Sequence, residues 1–198
     1  MIAYIIDRED DLLDLAHSLG QPVSSRLNSP LIDLLTPLQK QNAHPQSLSA
    51  NFGVNEFPYH TDGAYFIKPP RYIILRYIQG IENPTPTTLC NLTDVSEGDQ
   101  KLLQHSIWKV RSIKSFYSTI LSQDQRFYRF DNGVMQPLNK ANDNSTILSS
   151  IVSGLPIQTI EWEINKTVVV DNWKYLHNRP KVKPEEVNFR TLQRIMIL

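Results

Sequence analysis

The sequence predicts a mainly β domain with flanking helices, arranged as a sandwich or barrel. Three observations favour this class. Short segments rich in β-branched and aromatic residues recur between polar turns. Helical periodicity is confined to an early and a middle part of the chain. The 198 residues suit a single domain, taken here as residues 1–198, with enough chain to bury a substantial core.

The first 50 residues predict a short strand, a helix and a loop. The stretch "AYIIDREDDLLDLAHSLGQPV" begins with strand-like residues and continues with leucines at helical spacing up to Gly20, a typical helix stop. Residues 37–50 are polar and proline-containing, which indicates a loop.

The middle of the chain mixes both patterns. Residues 71–78, "RYIILRYI", predict a strand, and "ENPTPTTLCNL" predicts a proline-marked turn leading into another strand. Residues 94–121 look helical, and "QRFYRFDNGVM" looks like a strand that ends in an Asn-Gly turn.

The last third predicts a helix followed by strands. "KANDNSTILSS" favours a helix opening at an Asn or Ser cap. "IQTIEWEINKTVVVDN" predicts a hairpin that turns at Asn165-Lys166, and "RTLQRIMIL" closes as a strand, with or without a preceding helical turn.

Composition narrows the function classes. Lys+Arg and Asp+Glu balance at 20 each, so net charge calls for neither nucleic acid nor an acidic membrane surface. The apolar runs are shorter than a bilayer span. Cys90 is the only cysteine, which excludes an intrachain disulfide and favours a reducing, cytoplasmic setting. We therefore expect a small-molecule partner, and a homo-oligomer stays open.

The stretch "FPYHTDGAYF" carries the main chemical signal. In a strand, residues i and i+2 point to the same face, so His60 and Asp62 would project together. An imidazole and a carboxylate make two thirds of the facial site of iron(II) oxygenases. Taken alone, the pair is also consistent with His60 being a hydrogen-bonded histidine of the core.

A second histidine must come from elsewhere. Among the others, His177 is the best candidate because it follows the strand-like "TVVVDNWKYL". We expect it to lie across the interior of a β-barrel from the first pair. Short zinc-ligand spacings and an HExxH motif are absent, which argues against a zinc finger or that class of peptidase.

Taken together, "FPYHTDGAYF…PPRYIILRYI" and "VVVDNWKYLHNRP…FRTLQR" resemble the Fe(II)- and 2-oxoglutarate-dependent dioxygenases of the TauD/TfdA, clavaminate-synthase-like group. The resemblance runs from about residue 48 to the end. It implies a double-stranded β-helix (jelly roll, cupin-like) with Fe(II) held by His60, Asp62 and His177, and it implies 2-oxoglutarate and O2 as cosubstrates. The expected reaction is hydroxylation of a small molecule, with release of succinate and CO2.

The same resemblance assigns the cosubstrate residues. Arg190 pairs with the distal carboxylate of 2-oxoglutarate, because a guanidinium fork matches a carboxylate bidentately. Arg194 lies nearby and touches the cosubstrate or a substrate carboxylate. Thr88 is the best match to the cosubstrate threonine, with Thr87 as the fallback.

The substrate pocket is expected beside "NFGVNEF" and "QRFYRFDNGVMQPLN". There Glu56 is a candidate for a substrate amine or guanidinium, Arg129 for a substrate carboxylate, and Tyr65 for closing the pocket. An amino acid or other small carboxylate is the preferred substrate. Desaturation or cyclisation on the same iron centre is the alternative, and a jelly-roll binding protein without iron chemistry is the alternative from another class.

Overall fold

The computed structural model describes residues 3–6, 11–45, 47–138 and 144–198. Within them, the strands are β1 Ala3–Ile6, β2 Pro22–Val23, β3 Asp33–Leu35, β4 Phe57–His60, β5 Tyr72–Gln79, β6 Thr87–Asn91, β7 Ile107–Val110, β8 Phe116–Thr119, β9 Met135–Pro137, β10 Ile157–Ile160, β11 Thr167–Asp171, β12 Tyr175–Arg179 and β13 Thr191–Ile197. The α-helices are α1 Leu12–Leu19, α2 Leu48–Phe52, α3 Glu97–His105 and α4 Asn144–Ser153. Short 3-10 helices lie at Lys40–Asn42, Leu92–Asp94 and Pro184–Glu186.

Two antiparallel sheets form the centre of the fold. The larger has the order β1-β11-β5-β13-β2, with β3 also paired to β13, and the smaller has the order β10-β6-β12-β4. Their facing side chains share one core, in which Ile73 and Val168 of the larger sheet meet Leu89 and Tyr175 of the smaller one. The predicted mainly β class with flanking helices is therefore confirmed.

Helix α1 covers the outer face of the larger sheet. The Asp11 side chain caps its start by accepting a hydrogen bond from the Leu13 N–H. Its buried Leu12 and Ala16 pack against β5, β11 and β13. The helix ends at Gly20, as predicted, where a Cβ would collide with the Leu198 carbonyl.

The segment between β6 and β10 covers the outer face of the smaller sheet. It contains α3, α4 and a small sheet of order β8-β7-β9. The predicted helix over 94–121 is right only for α3. From Ile107 onward buried and exposed residues alternate, with Trp108 and Val110 inward, and this period of two makes a strand.

Two further predictions were wrong. "IQTIEWEINKTVVVDN" is not a hairpin, because β10 pairs with β6 in the smaller sheet while β11 pairs with β1 and β5 in the larger one. Asn165, with φ of 68°, turns the chain between the two sheets. "QRFYRFDNGVM" does not form the predicted strand before its turn: Tyr128 makes only an isolated bridge with Leu121. The predicted Asn-Gly turn is present, and Met135, after it, begins β9.

Among the described residues, no helix combines the length and apolar character needed to cross a membrane.

Candidate metal centre

The first two predicted ligands lie where β4 ends. His60 is the last residue of β4, and Asp62 is in the turn that follows it. Thr61, fully buried, bonds to the backbone of Phe130, donating its N–H to the carbonyl at 2.7 Å. Asn172 fixes the next residue: its side chain accepts from the Asp62 N–H at 2.8 Å and donates to the Asp62 carbonyl at 2.9 Å. The chain is thus held on both sides of the pair.

The third predicted ligand, His177, lies on the adjacent strand. β12 pairs with β4, and His177 is directly opposite His60, with ring centroids 4.2 Å apart. The expectation that it faces the pair across a barrel interior was wrong. One ligand atom from each of His60, Asp62 and His177 lies within 4.8 Å of the others, and all three residues are buried or nearly so.

The ring nitrogens suit metal binding. His60 Nδ1 lies 2.8 Å from the Pro58 carbonyl, so it donates there and leaves Nε2 free as a ligand. His177 Nε2 lies 3.7 Å from Asp62 Oδ2. Its Nδ1 is buried without a hydrogen-bond partner in the described part of the chain. Two imidazoles and one carboxylate are a donor set that fits Fe(II).

The charge states also suit a metal. Burial lowers the pKa of His177 to about 3, with His60 and Arg194 acting in the same direction. The imidazole is therefore neutral at pH 7, the form that binds metal ions. Burial raises the pKa of Asp62, but Arg194 and the two histidines outweigh this and hold it below its usual range.

Arg190 is a buried cation with unused donors. Its side chain is almost fully enclosed, and Nε lies 3.8 Å from Glu186 Oε1. Nε and Nη2 have no hydrogen-bond partner among the described residues. Burial lowers its pKa, against the opposing effects of Glu186 and Tyr77. Because buried donors are normally satisfied, these N–H groups fit an incoming carboxylate.

Arg194 bridges two carboxylates. Nη1 donates to Asp62 Oδ1 at 2.7 Å, and Nη2 donates to Asp33 Oδ2 at 2.8 Å. Burial lowers the pKa of Arg194, but Asp62 and Asp33 outweigh it and hold the pKa above its usual range. The structure therefore places Arg194 directly on one of the predicted iron ligands.

Thr88 faces away from the candidate metal centre. It pairs with Asn178, whereas its neighbour Leu89 pairs with His177. The Thr88 hydroxyl bonds to Tyr59 at 2.9 Å, on the outer face of the smaller sheet. Thr87, the fallback, lies on the same face as His177, and its hydroxyl accepts from Trp162 Nε1 at 3.1 Å. The alternation of the strand thus favours Thr87 over Thr88.

The three predicted substrate residues are all engaged elsewhere. Glu56 accepts from Asn178 Nδ2 at 2.8 Å, on the side of the sheet that carries Thr88. Tyr65 donates its hydroxyl to the Ser25 carbonyl, and burial raises its pKa to about 12.

The contacts of Arg129 also differ from the expectation that it binds a substrate carboxylate. It is 1% exposed and donates to the carbonyls of Ala64, Phe66 and Ile67 at 3.1, 2.7 and 2.6 Å. Burial lowers its pKa to about 10. The guanidinium fastens the segment after Asp62, and both of its terminal nitrogens are used in these contacts.

Sequence reasoning missed Asp131. This carboxylate is 9% exposed and accepts from the Gly133 N–H at 2.7 Å. Burial raises its pKa, His60 lowers it and Asp62 raises it, so its charge lies within reach of both ligands. The residue belongs to the "DNG" that predicted a turn, and no pattern in the sequence distinguishes an ordinary turn aspartate from one whose charge acts on the candidate metal ligands.

No protein-family model matches the sequence, and no curated protein matches it in sequence. Solved structures do match its fold. An asparagine oxygenase in complex with Fe(II), 2S,3S-3-hydroxyasparagine and succinate aligns with a TM-score of 0.72 at 18% identity, over 94% of this chain and 63% of that one. The non-heme iron oxygenase OrfP with Fe and α-ketoglutaric acid aligns with a TM-score of 0.69 at 15% identity, over 94% and 63%.

A mutant of OrfP in complex with (3S)-hydroxy-L-Arg aligns with a TM-score of 0.69 at 17% identity, over 92% of this chain and 62% of the other. The chain therefore spans a little under two thirds of the length of each of these proteins. At this level of identity the likeness establishes the fold, which agrees with the resemblance seen in the sequence.

Proposed function

We propose that this chain, whose fold is that of non-heme iron oxygenases, is an Fe(II)- and 2-oxoglutarate-dependent dioxygenase that hydroxylates a small amino acid or a related carboxylate. Two features of the described residues carry the proposal. One is the buried cluster of His60, Asp62 and His177, and the other is a buried guanidinium, Arg190, with unused donors.

The strand order supports a double-stranded β-helix. Four strands in the order β3-β13-β5-β11 face four in the order β10-β6-β12-β4, and every pairing is antiparallel. Two four-stranded antiparallel sheets packed on one core are the architecture of a jelly roll. The proposed metal ligands then come from the smaller sheet and the turn at its edge.

His60, Asp62 and His177 would hold the iron. Iron bound by three protein groups keeps coordination positions open and supplies the oxidation chemistry with 2-oxoglutarate and O2. The protein's contribution is to hold His60 through Pro58, to hold Asp62 through Asn172 and Arg194, and to keep His177 neutral.

The cosubstrate pocket is proposed at Arg190. Burial lowers the pKa of Arg179, the nearby charge of Arg190 lowers it further, and the carboxylate of Glu186 opposes both effects. Glu186 opposes the lowering of the Arg190 pKa as well. Two guanidinium groups against one carboxylate leave an excess positive charge in a buried place. The distal carboxylate of 2-oxoglutarate would neutralise it and satisfy the free donors of Arg190. Thr87 lies on the same face of the smaller sheet as His177 and is the proposed threonine contact.

The proposed substrate class rests on the charges around the centre. Asp131 offers a buried carboxylate near His60 for a substrate amine, amide or guanidinium. Arg194 Nε is unpartnered within the described residues and offers a donor to a substrate carboxylate. An amino acid presents both complementary charges. The two neighbouring oxygenases named above were crystallised with hydroxylated amino acids.

An anaerobic titration tests the proposal. Fe(II) and 2-oxoglutarate are added to the protein while the weak visible charge-transfer band of the chelate is followed. We expect the band in the wild type and in His105→Ala, an exposed histidine on α3, and its loss in His60→Ala and Asp62→Ala. Absence of the band from folded wild-type protein would refute the oxygenase assignment and favour a jelly-roll binding protein.

A substrate screen scored by succinate release follows, with amino acids first. Product analysis by mass spectrometry then distinguishes hydroxylation, a gain of one oxygen atom, from desaturation or cyclisation, a loss of two hydrogen atoms.

A further inference from the structure

The two oxygens of Asp62 have different surroundings. Oδ1 receives Arg194 Nη1 at 2.7 Å, while Oδ2 lies 3.7 Å from His177 Nε2. Oδ2 therefore faces the other ligand atoms, and Oδ1 is turned toward a cation. A carboxylate held in this way presents one oxygen to a metal.

Arg194 is in turn fixed by Asp33. The two residues are opposite each other in the pairing of β13 with β3, and Arg194 Nη2 donates to Asp33 Oδ2 at 2.8 Å. The other Asp33 oxygen, Oδ1, accepts from Ser25 Oγ at 2.8 Å. The sheet register thus builds a row of contacts from Ser25 through Asp33 and Arg194 to Asp62.

The row is mostly shielded from solvent. The side chains of Arg194, Asp33 and Asp62 are 16%, 17% and 9% exposed. At such burial the contacts are screened less than surface ion pairs, so the charge of Asp33 affects how strongly Arg194 withdraws charge from Asp62.

We propose that Asp33 is a positioning residue of the metal centre, which acts through Arg194 to hold Asp62 with only Oδ2 toward the metal and to set its strength as a ligand. This role rests on the proposed function. Groups that orient a metal ligand commonly change metal affinity by about 10- to 100-fold when they are removed.

The arrangement predicts that substitutions of Asp33 and Arg194 change metal affinity in opposite directions. In Asp33→Asn, Arg194 loses one of its two carboxylates and draws more charge from Asp62, so the metal dissociation constant rises by about 10-fold. In Arg194→Met, Asn172 still holds the backbone of Asp62, and two carboxylates remain without their cation. We expect the stronger negative charge on Asp62 to outweigh the loss of its side-chain contact, so the dissociation constant falls. A general loss of structure would weaken binding in both variants.

Co(II) titration of the apo-protein measures these effects. Co(II) reports affinity and coordination through its visible d–d bands, independently of turnover. Asp14→Asn, an exposed carboxylate on α1, is the matched control and should bind Co(II) as the wild type does. Arg194→Gln replaces Arg194→Met if the latter does not fold, as judged by circular dichroism.

The expected result is weaker binding and shifted bands in Asp33→Asn, with tighter binding in the Arg194 variant. Wild-type affinity and bands in Asp33→Asn would overturn the inference while leaving the proposed function intact. Weaker binding in both variants would overturn it as well. Wild-type protein that binds no Co(II) would refute the metal centre itself, and Asp33 would then have no such role.

Discussion

Arg129 and Arg190 are buried to nearly the same degree, 1% and 2% exposed, yet their donors are used differently. Arg129 gives its terminal nitrogens to three backbone carbonyls and lies over the rings of Phe116 and Phe127. Arg190 faces one carboxylate at 3.8 Å and keeps Nε and Nη2 without partners in the described structure. Nε of Arg129 also has no partner in the described structure, so neither burial nor Nε marks a binding arginine; the unused terminal nitrogen, Nη2 of Arg190, does.

The largest expected effect concerns Arg190. Arg190→Met should raise the dissociation constant of 2-oxoglutarate by about 100-fold, because losing one partner of a buried charged hydrogen bond costs about 2–5 kcal/mol. Arg190→Lys should recover only part of this, since an ammonium cannot match the carboxylate bidentately. Isothermal titration with Mn(II) in place of Fe(II) measures the constants, and unchanged affinity in Arg190→Met would remove the contrast with Arg129.

Arg129 should affect stability instead. Arg129→Met leaves the carbonyls of Ala64, Phe66 and Ile67 without their donors, and we expect the free energy of unfolding to fall by about 2–3 kcal/mol. Arg126→Met is the matched control, because Arg126 is 72% exposed and pairs with Asp124 at the surface, so a change within about 0.5 kcal/mol is expected. Urea unfolding measures both free energies, and equal stability of the two variants would contradict a structural role for Arg129.

The two faces of β6 give a smaller contrast. Thr87→Val should weaken 2-oxoglutarate binding by about fivefold, the loss of one net hydrogen bond of about 1 kcal/mol. Thr88→Val should leave the constant within about twofold of the wild type, because its hydroxyl points to Tyr59. A larger loss of 2-oxoglutarate affinity in Thr88→Val than in Thr87→Val would restore Thr88 as the proposed cosubstrate threonine.

The smallest effect concerns Cys90, a buried group with no role in the proposed chemistry. Burial raises the pKa of its thiol to about 11, so at pH 8 the thiolate is scarce and iodoacetamide should modify the native protein slowly. The rate of thiol modification should climb with pH up to about 11. The free energy of unfolding should fall between pH 9 and about 11, because the folded state keeps the thiol protonated over a range in which the unfolded state loses the proton. Mass spectrometry after timed quenching measures the rate; fast labelling of native protein at pH 8 would show that the thiol is accessible.

The sequence predicted which candidate ligands lie together better than it predicted their surroundings. His60, Asp62 and His177 could be selected because a metal site requires particular residue types in a recognisable motif. The face of Thr88 could not be predicted, because it depends on which residue of β6 is opposite His177, and a shift of one residue reverses it. Arg129 and Asp131 lie two residues apart in one irregular segment, where no strand period indicates direction.

For the fold, too, local features were predicted better than long-range ones. Strong local patterns such as 71–78 and the helix before Gly20 were predicted correctly, whereas the pairing of β10 with β6 was not. A tight turn at Asn165 looks the same in sequence whether the chain returns along its own strand or crosses to the other sheet. Only long-range packing, with Trp162 reaching Thr87, decides between them.

The direct pairing of His60 with His177 has a mechanical consequence. β4 is the edge strand of its sheet, four residues long, and its register with β12 is interrupted by an irregularity. Such an edge opens easily on its own. A metal ion held by both histidines would cross-link the C-terminal end of β4 to β12. Loading the centre would therefore slow hydrogen exchange of the amides in β4 and stiffen this edge of the smaller sheet before any cosubstrate enters.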